Sequence, residues 1–271
     1  MKKLGLIAGC GELPSVVAAE ARAKGYSVFA VGLEPLADKS LASAVDEIRW
    51  INVGKLGSII NTLKKAGVTE AVLAGKVPKS LLYKSKITPD LRAVKVLFSL
   101  KDRADDSIML AITGELARDG ITLLNTTDFS VRLLAPDGVL GKHAPSKSEW
   151  KDIEFGFGIA KEMGRLDIGQ TVVVKNMAVM AVEAIEGTDE AIKRGGRLAG
   201  SGAVVIKVSK PQQDLRFDVP AVGMETLTAM IEVQARVLAV EQGKSIILAR
   251  QEVTKKADKS NISIVGYPTK Q

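Results

Sequence analysis

The chain has 271 residues, 46% of them hydrophobic and 25% charged, and a formal net charge of +7. This composition excludes a disordered chain and fits one large domain or two ordinary ones, each with an apolar core. The positive charge suits a phosphate-bearing small molecule or an anionic bilayer surface, whereas 4% aromatics with no basic run among them argues against nucleic acid.

The first half alternates strand and helix signals. KLGLIAG reads as a buried strand, LPSVVAAEARAKG as a helix stopping at Gly25, YSVFAVGL and DEIRWINV as strands, KLGSIINTLKKAG as a helix and TEAVLAG as a fourth strand. Such a βαβ rhythm predicts a parallel sheet covered on both faces. Helical patterns follow at DLRAVKVLFSL and ADDSIMLAITGELARDG, where Asp105 and Asp106 read as capping residues, and then a short strand at ITLLN. The turn-rich APDGVLGKHAPSKSEW marks a seam, dividing the chain into residues 1–132 and 133–271. Beyond it, EFGFGIAKEMGRL predicts a helix. TVVVKNMAVMAVEAIEG predicts paired strands turning at Lys175 and Asn176. A helix over 189–198, a strand at AVVIKV, a helix over 224–240 and a strand at SIILA complete an α/β pattern without internal repeats.

Cys10 is the only cysteine, which excludes an intramolecular disulfide and a cysteine metal cage. The apolar stretch in MKKLGLIAGCGELP is too short for a signal peptide and is broken by Gly9, Gly11, Glu12 and Pro14. No window approaches the roughly 18 apolar residues of a spanning helix. A cytoplasmic protein is expected, one that could still touch a membrane.

Several motifs can carry chemistry. Gly9 and Gly11 lie between the first strand and first helix, where backbone amides and the helix dipole favour phosphate. The loop begins like a dinucleotide fingerprint, with Glu34 as a ribose-binding acid, but Pro14 replaces the third glycine. His143, the only histidine, lacks a nucleophile-elbow partner. In RLDIGQ, Asp167 and Gln170 form a polar edge with Gly169.

The densest cluster is AVEAIEGTDEAI with KPQQDLRFDVPAVG. If the second segment is extended, Asp214, Arg216 and Asp218 share one face just before Pro220. Glu183, Glu186, Asp189 and Asp218 supply oxygen ligands from separate segments, as magnesium prefers. Their alternative is a salt-bridged rim with Arg216, Lys207 and Lys210.

With GLIAGCGELP, AGKV, ADDS and RLDIGQ in the same order, these segments make the whole chain resemble the UDP-2,3-diacylglucosamine pyrophosphatase family of lipid A synthesis, the form distinct from the calcineurin-like enzyme. The resemblance implies a Rossmann-like N-terminal domain followed by a second α/β domain. It implies hydrolysis, with Mg2+ as cofactor, of a lipid-linked sugar nucleotide to UMP and 2,3-diacylglucosamine 1-phosphate (lipid X). It places the essential aspartate on Asp218, as metal ligand or water-positioning group. Glu183, Glu186 and Asp189 are then further metal ligands, and Gly9, Gly11, Thr188, Lys207 and Lys210 contact substrate. Transient contact with the inner-membrane surface is expected, nucleic acid is not, and a homo-oligomer is left open. Two rival classes are a nicotinamide-dependent oxidoreductase and a non-catalytic lipid or nucleotide carrier.

Overall fold

The structure is a computed structural model that describes residues 2–77, 88–100 and 105–269, apart from the side chains of Asp105 and Asp106. The capping expectation for those two aspartates therefore lies outside the described residues. The chain divides into two compact units. One is Met1–Ser130 with Asp214–Phe217, and the other is Val131–Gln213 with Asp218–Gln271.

In the first unit, β1 (Lys3–Ala8), β2 (Ser27–Glu34), β3 (Glu47–Asn52), β4 (Glu70–Ala74) and β5 (Thr122–Leu123) form a parallel sheet in the order β3-β2-β1-β4-β5. This is the strand order of a Rossmann half with its continuation past the switch point. Alternation along the strands builds two cores. Leu4, Leu6, Ala8, Val28 and Ala30 pack with Val17, Ala18 and Ala21 of α1 (Leu13–Ala23). On the other face, Ile7, Phe29 and Val31 pack with Ile59, Ile60 and Leu63 of α2 (Leu56–Lys65). Val96 of α3 (Leu91–Ser99) and Leu116 of α4 (Asp105–Arg118) extend that second core. Pro14 takes the first turn of α1, where its missing N–H costs nothing.

The second unit carries a six-stranded mixed sheet in the order β6-β13-β11-β9-β7-β8. Its members are β6 (Gly138–Leu140), β7 (Thr171–Lys175), β8 (Ala178–Val182), β9 (Val204–Lys207), β11 (Val237–Glu241) and β13 (Ser263–Tyr267). The strands β9, β11 and β13 are parallel, while β7 and β6 run against their neighbours. The long helix α5 (Lys147–Arg165) covers one face, its Ile153, Phe157 and Ala160 packing on Val172, Val174, Val204 and Ile206. The opposite face holds Val173, Val205, Leu238 and Val240 against α6 (Thr188–Ala199), α7 (Met224–Glu232) and α8 (Arg250–Lys259). A two-stranded parallel pair, β10 (Ala221–Val222) and β12 (Ile246–Ile247), completes the unit.

Three expectations need correction. The helix expected over 224–240 ends at Glu232, and Val237–Glu241 is instead the central strand β11. A run that is buried on both faces loses its alternation, so periodicity alone does not separate it from a helix. The expected strand at SIILA shrinks to Ile246–Ile247, and α8 and β13 follow it where no element is expected. The hairpin turn sits one residue later than expected, at Asn176 and Met177, both with positive φ of 51° and 57°.

Asp152 of α5 explains that turn. Its carboxylate is buried and accepts from the backbone N–H groups of Asn176 (3.0 Å) and Met177 (2.6 Å). A left-handed residue without glycine costs about 1–2 kcal/mol, so the turn needs this external support. Asp152→Ala is expected to lower stability by about 2–3 kcal/mol, the scale of losing charge-assisted bonds from buried amides. Denaturant unfolding checks it, and a loss below about 0.5 kcal/mol would show that the turn holds itself.

Candidate functional site

In open α/β sheets ligands bind beyond the carboxyl ends of the strands, at a switch in strand order. In the first sheet that point lies between β1 and β4, and there the two loops are bonded to each other. Gly9 N donates to Ala74 O (2.8 Å), Cys10 N to Lys76 O (3.0 Å) and Lys76 N to Cys10 O (2.9 Å). A Cβ on Gly9 would lie 2.5 Å from Lys76 O, and Gly11 holds a φ of +95°. Close backbone approach and turn conformation therefore account for both glycines, and two loop amides are already committed. Cys10 also points its thiol at Lys76 O (3.2 Å). Glu34 is ion-paired with Lys39 (3.0 Å). These bonds weigh against a dinucleotide pyrophosphate in this loop.

The corresponding edge of the second sheet is polar. Strands β8 and β9 are both antiparallel to β7, so they end on the same side. Lys207, the last residue of β9, pairs in register with Thr171 of β7. Glu183, just past β8, donates its N–H to Thr171 O (2.8 Å). Glu183 and Lys207 are only 8% and 7% exposed. The Thr188 hydroxyl joins them, donating to Glu183 Oε1 (2.9 Å) and accepting from Lys207 Nζ (2.9 Å). Lys207 Nζ also donates to Ala221 O (3.0 Å). Glu183 Oε2, Thr171 Oγ1 and Gln170 Oε1 are buried without a hydrogen-bond partner among the described residues. Such acceptors are the exception in folded proteins and mark this edge as polar beyond what packing needs.

A second buried pair lies at the end of β11. The fully buried Glu241 accepts from Lys161 Nζ (3.0 Å), Ser209 N (2.8 Å) and Thr269 Oγ1 (2.6 Å), and pairs with Lys244 (3.0 Å). Burial pushes its pKa up, but these donors outweigh it and hold the carboxyl below its ordinary value. Glu241 is absent from the predicted site because most of the strand it closes, Val237–Val240, lay inside the helix expected over 224–240. The signal was present in VLAVEQG, an apolar run closed by a charge and a glycine.

The remaining predicted residues separate. Glu186 is exposed and pairs with Arg194 of α6, which holds its carboxyl below the usual range. Asp189, in the first turn of α6, lines a cleft of about 320 Å³ with Lys193, Met224, Glu225 and Glu232. Lys210 Nζ reaches Asp167 Oδ1 (2.5 Å), and Asp167 adopts a left-handed φ of 57° just after α5. Gln213 Oε1 accepts from Lys210 N (2.8 Å).

The segment from Asp214 to Phe217 is a turn and not a strand, with Phe217 N donating to Asp214 O (3.2 Å). The expected single face of Asp214, Arg216 and Asp218 is therefore absent. Arg216 folds back on Asp214, its Nε 2.9 Å from Oδ1 and its Nη2 2.5 Å from Oδ2. This pairing lowers the Asp214 pKa and raises that of Arg216. Within the first unit the turn is anchored by Thr126, whose N donates to Leu215 O (3.2 Å) and whose hydroxyl contacts Arg216 O (3.2 Å). Asp218, four residues on, belongs to the second unit. It is half-buried, and among the described residues its carboxylate has no hydrogen-bond or ion-pair partner.

This arrangement does not fit a resident metal cage. Among the described residues no three His, Cys, Asp or Glu side chains are placed to hold an ion together. Glu183 is turned to Thr188 and Glu186 to Arg194, so the four carboxylates proposed as ligands do not form one set. Among the described residues, Asp218 and Asp189 are the two of these four without a hydrogen-bond or ion-pair partner.

Comparison with known proteins accords with the sequence resemblance. The LpxI N-terminal domain model matches residues 3–133 and the LpxI C-terminal domain model residues 136–265. The UDP-2,3-diacylglucosamine pyrophosphatase LpxI of Caulobacter vibrioides is 32% identical over 277 residues, covering 98% of each chain. Solved structures with partial likeness include CobK precorrin-6A reductase, at TM-score 0.31, 12% identity and coverage of 100% of this chain and 89% of that one. The biotin carboxylase domain of a thermophilic 2-oxoglutarate carboxylase matches at TM-score 0.29 and 17% identity, over 64% of this chain and 35% of that one. These two likenesses are too weak to bear on fold or function. The family models and the relative span both halves of the molecule, and the chain belongs to the LpxI family.

Proposed function

We propose that the chain hydrolyses the diphosphate bond of UDP-2,3-diacylglucosamine, giving UMP and 2,3-diacylglucosamine 1-phosphate in lipid A synthesis. The observation that carries this reading is the full-length match to a relative of that named activity. The half-buried Asp218 carboxylate, without a partner among the described residues while Asp214 is paired with Arg216, supports it from the chemistry. An unpaired carboxylate in a partly buried position is costly unless something else uses it.

In this mechanism Asp218 orients a water molecule for attack on one phosphorus and takes up its proton. The new P–O bond forms as the bond from phosphorus to the bridging oxygen breaks, and the departing phosphate carries away that electron pair. Lys210, at the same sheet edge and balanced by Asp167, offsets negative charge on the phosphoryl oxygens. A magnesium ion would be held here by one or two carboxylates together with the substrate phosphates, the binding mode it commonly uses. Asp218 and Asp189 would be its protein contacts, and the ion would supply further charge neutralisation there.

The acylated substrate also calls for contact with the inner-membrane surface. Among the described residues no helix is long and apolar enough to cross a membrane. On α3, however, Leu91 and Phe98 are 82% and 87% exposed on the same side as Lys95, a combination suited to an anionic bilayer.

The test is release of UMP from UDP-diacylglucosamine in detergent, followed by mass spectrometry. Cleavage of UDP-N-acetylglucosamine should be poor, since acyl chains contribute up to about 0.8 kcal/mol per buried CH₂. Equal rates on the acylated and unacylated nucleotides would sink the lipid assignment. Asp218→Ala should lower turnover by at least about 10²-fold while the protein stays folded, the lower range for losing an acid–base group. Near-normal turnover would remove Asp218 from the chemistry. A chelator should stop hydrolysis and added Mg2+ should restore it, whereas full activity in excess chelator would leave the carboxylates without a metal role.

A further inference from the structure

We infer that Glu183, Thr188 and Lys207 are positioning residues, a buried relay that fixes the backbone carrying Asp218. The inference rests on the hydrolase reading, because only there does Asp218 have reacting atoms to meet. The relay is continuous within the second unit: Glu183 Oε1 to Thr188 Oγ1 at 2.9 Å, Thr188 Oγ1 to Lys207 Nζ at 2.9 Å, and Lys207 Nζ to Ala221 O at 3.0 Å.

Its direction is set by chemistry. A threonine hydroxyl has one proton, and an ionised carboxylate only accepts, so Thr188 gives its proton to Glu183 and turns a lone pair to Lys207. The ammonium has three donors, of which Thr188 and Ala221 O each take one. Lys207 is buried at the end of β9, whose four residues are all buried, so its stem is held by packing. It therefore grips the Ala221 carbonyl from a rigid base, not as a mobile surface cation reaching for substrate.

Ala221 opens β10 and is three residues past Asp218. Pro220 O accepts from Ile246 N (2.8 Å), and Ala221 pairs in register with Ile246. Between the two lie Val219 and Pro220, and the ring of Pro220 restricts φ, so a displacement at Ala221 passes to Asp218 with little slack. Glu183 and Lys207 are also the buried opposite charges that the single hydroxyl joins, and loss of that hydroxyl would leave each with a missing partner. Misplacing a reacting group by about 1 Å can cost about 10²-fold in rate, which sets the scale expected of the relay.

The test uses the full chain with Thr188→Val, Thr188→Ser and Lys207→Met, measuring UMP release and amide hydrogen exchange at Val219 and Ala221. Thr188→Val should lower kcat about ten- to a hundredfold with KM changed less than about twofold, because only placement of the reacting group is lost. Thr188→Ser keeps the hydroxyl and should recover most of that loss. Exchange at Val219 and Ala221 should quicken in Thr188→Val and stay near wild type in Thr188→Ser. Lys207→Met should match Thr188→Val in kcat, and the double variant should be no worse than either single one. If Thr188→Val fails to fold, Lys207→Met carries the same kinetic and exchange measurements. A rise in KM alone, or unchanged kcat and exchange, overturns the relay. A wild-type chain that releases no UMP overturns the hydrolase reading instead, and the exchange measurement still decides whether the relay holds the Val219–Ala221 backbone.

Discussion

A strand covered on both faces of its sheet has no contact with water, and this constraint organises the polar groups of the second unit. Polar side chains can enter such a layer only at strand ends, where each must find a partner or pay several kcal/mol of desolvation. The strands β9 and β11 obey it closely: Val204, Val205 and Ile206 lead to Lys207, and Val237 to Val240 lead to Glu241. The charged side chains of these two strands are thereby confined to one end of the second sheet. Their cost is met locally, by Thr188 and Ala221 O for Lys207, and by Lys161, Ser209 and Thr269 for Glu241.

The two sheets treat the same kind of edge in opposite ways. In the first, backbone bonds among Gly9, Cys10, Ala74 and Lys76 close the switch point, and small residues allow the close approach. In the second, long charged side chains fill the edge. A Rossmann strand order thus comes here with a loop whose Gly9 and Cys10 amides are already bonded to the facing loop, which weighs against a dinucleotide at those two amides. Fold and function are separable for this physical reason.

Asp214 and Asp218 show how position within one segment decides the fate of a carboxylate. Asp214 meets a guanidinium two residues away, which satisfies both oxygens and holds its pKa down. Asp218 has no such neighbour among the described residues. Folding gains little from leaving it so, whereas a reaction that needs a carboxylate able to bind water or a cation would use it. The charged residues of DLRFD therefore divide into a structural clamp and a group available for chemistry.

Much of this was legible in sequence, and the rest was not for definite reasons. Glycine stops and 3.6-residue periodicity placed α1 and α2. Apolar runs placed β1, β2 and β4, because each is a local consequence of burying one face or two. The motifs around Glu183, Thr188 and Asp218 were visible as unusual polar residues beside apolar runs. Three things depended on tertiary structure. The central strand β11 was hidden because burial on both faces erases the alternation that marks a strand. The pairing of Asp214 with Arg216, and not with its neighbours at the edge, followed from a turn whose geometry is set by Thr126, ninety residues away in sequence from Arg216. The roles of Glu183 and Lys207 followed from β8 and β9 both running against β7, which brings residues 24 apart in number to one end of the sheet. Local sequence determines which residues can form an element, but which polar groups share an edge is decided by strand order, a property of long-range pairing alone.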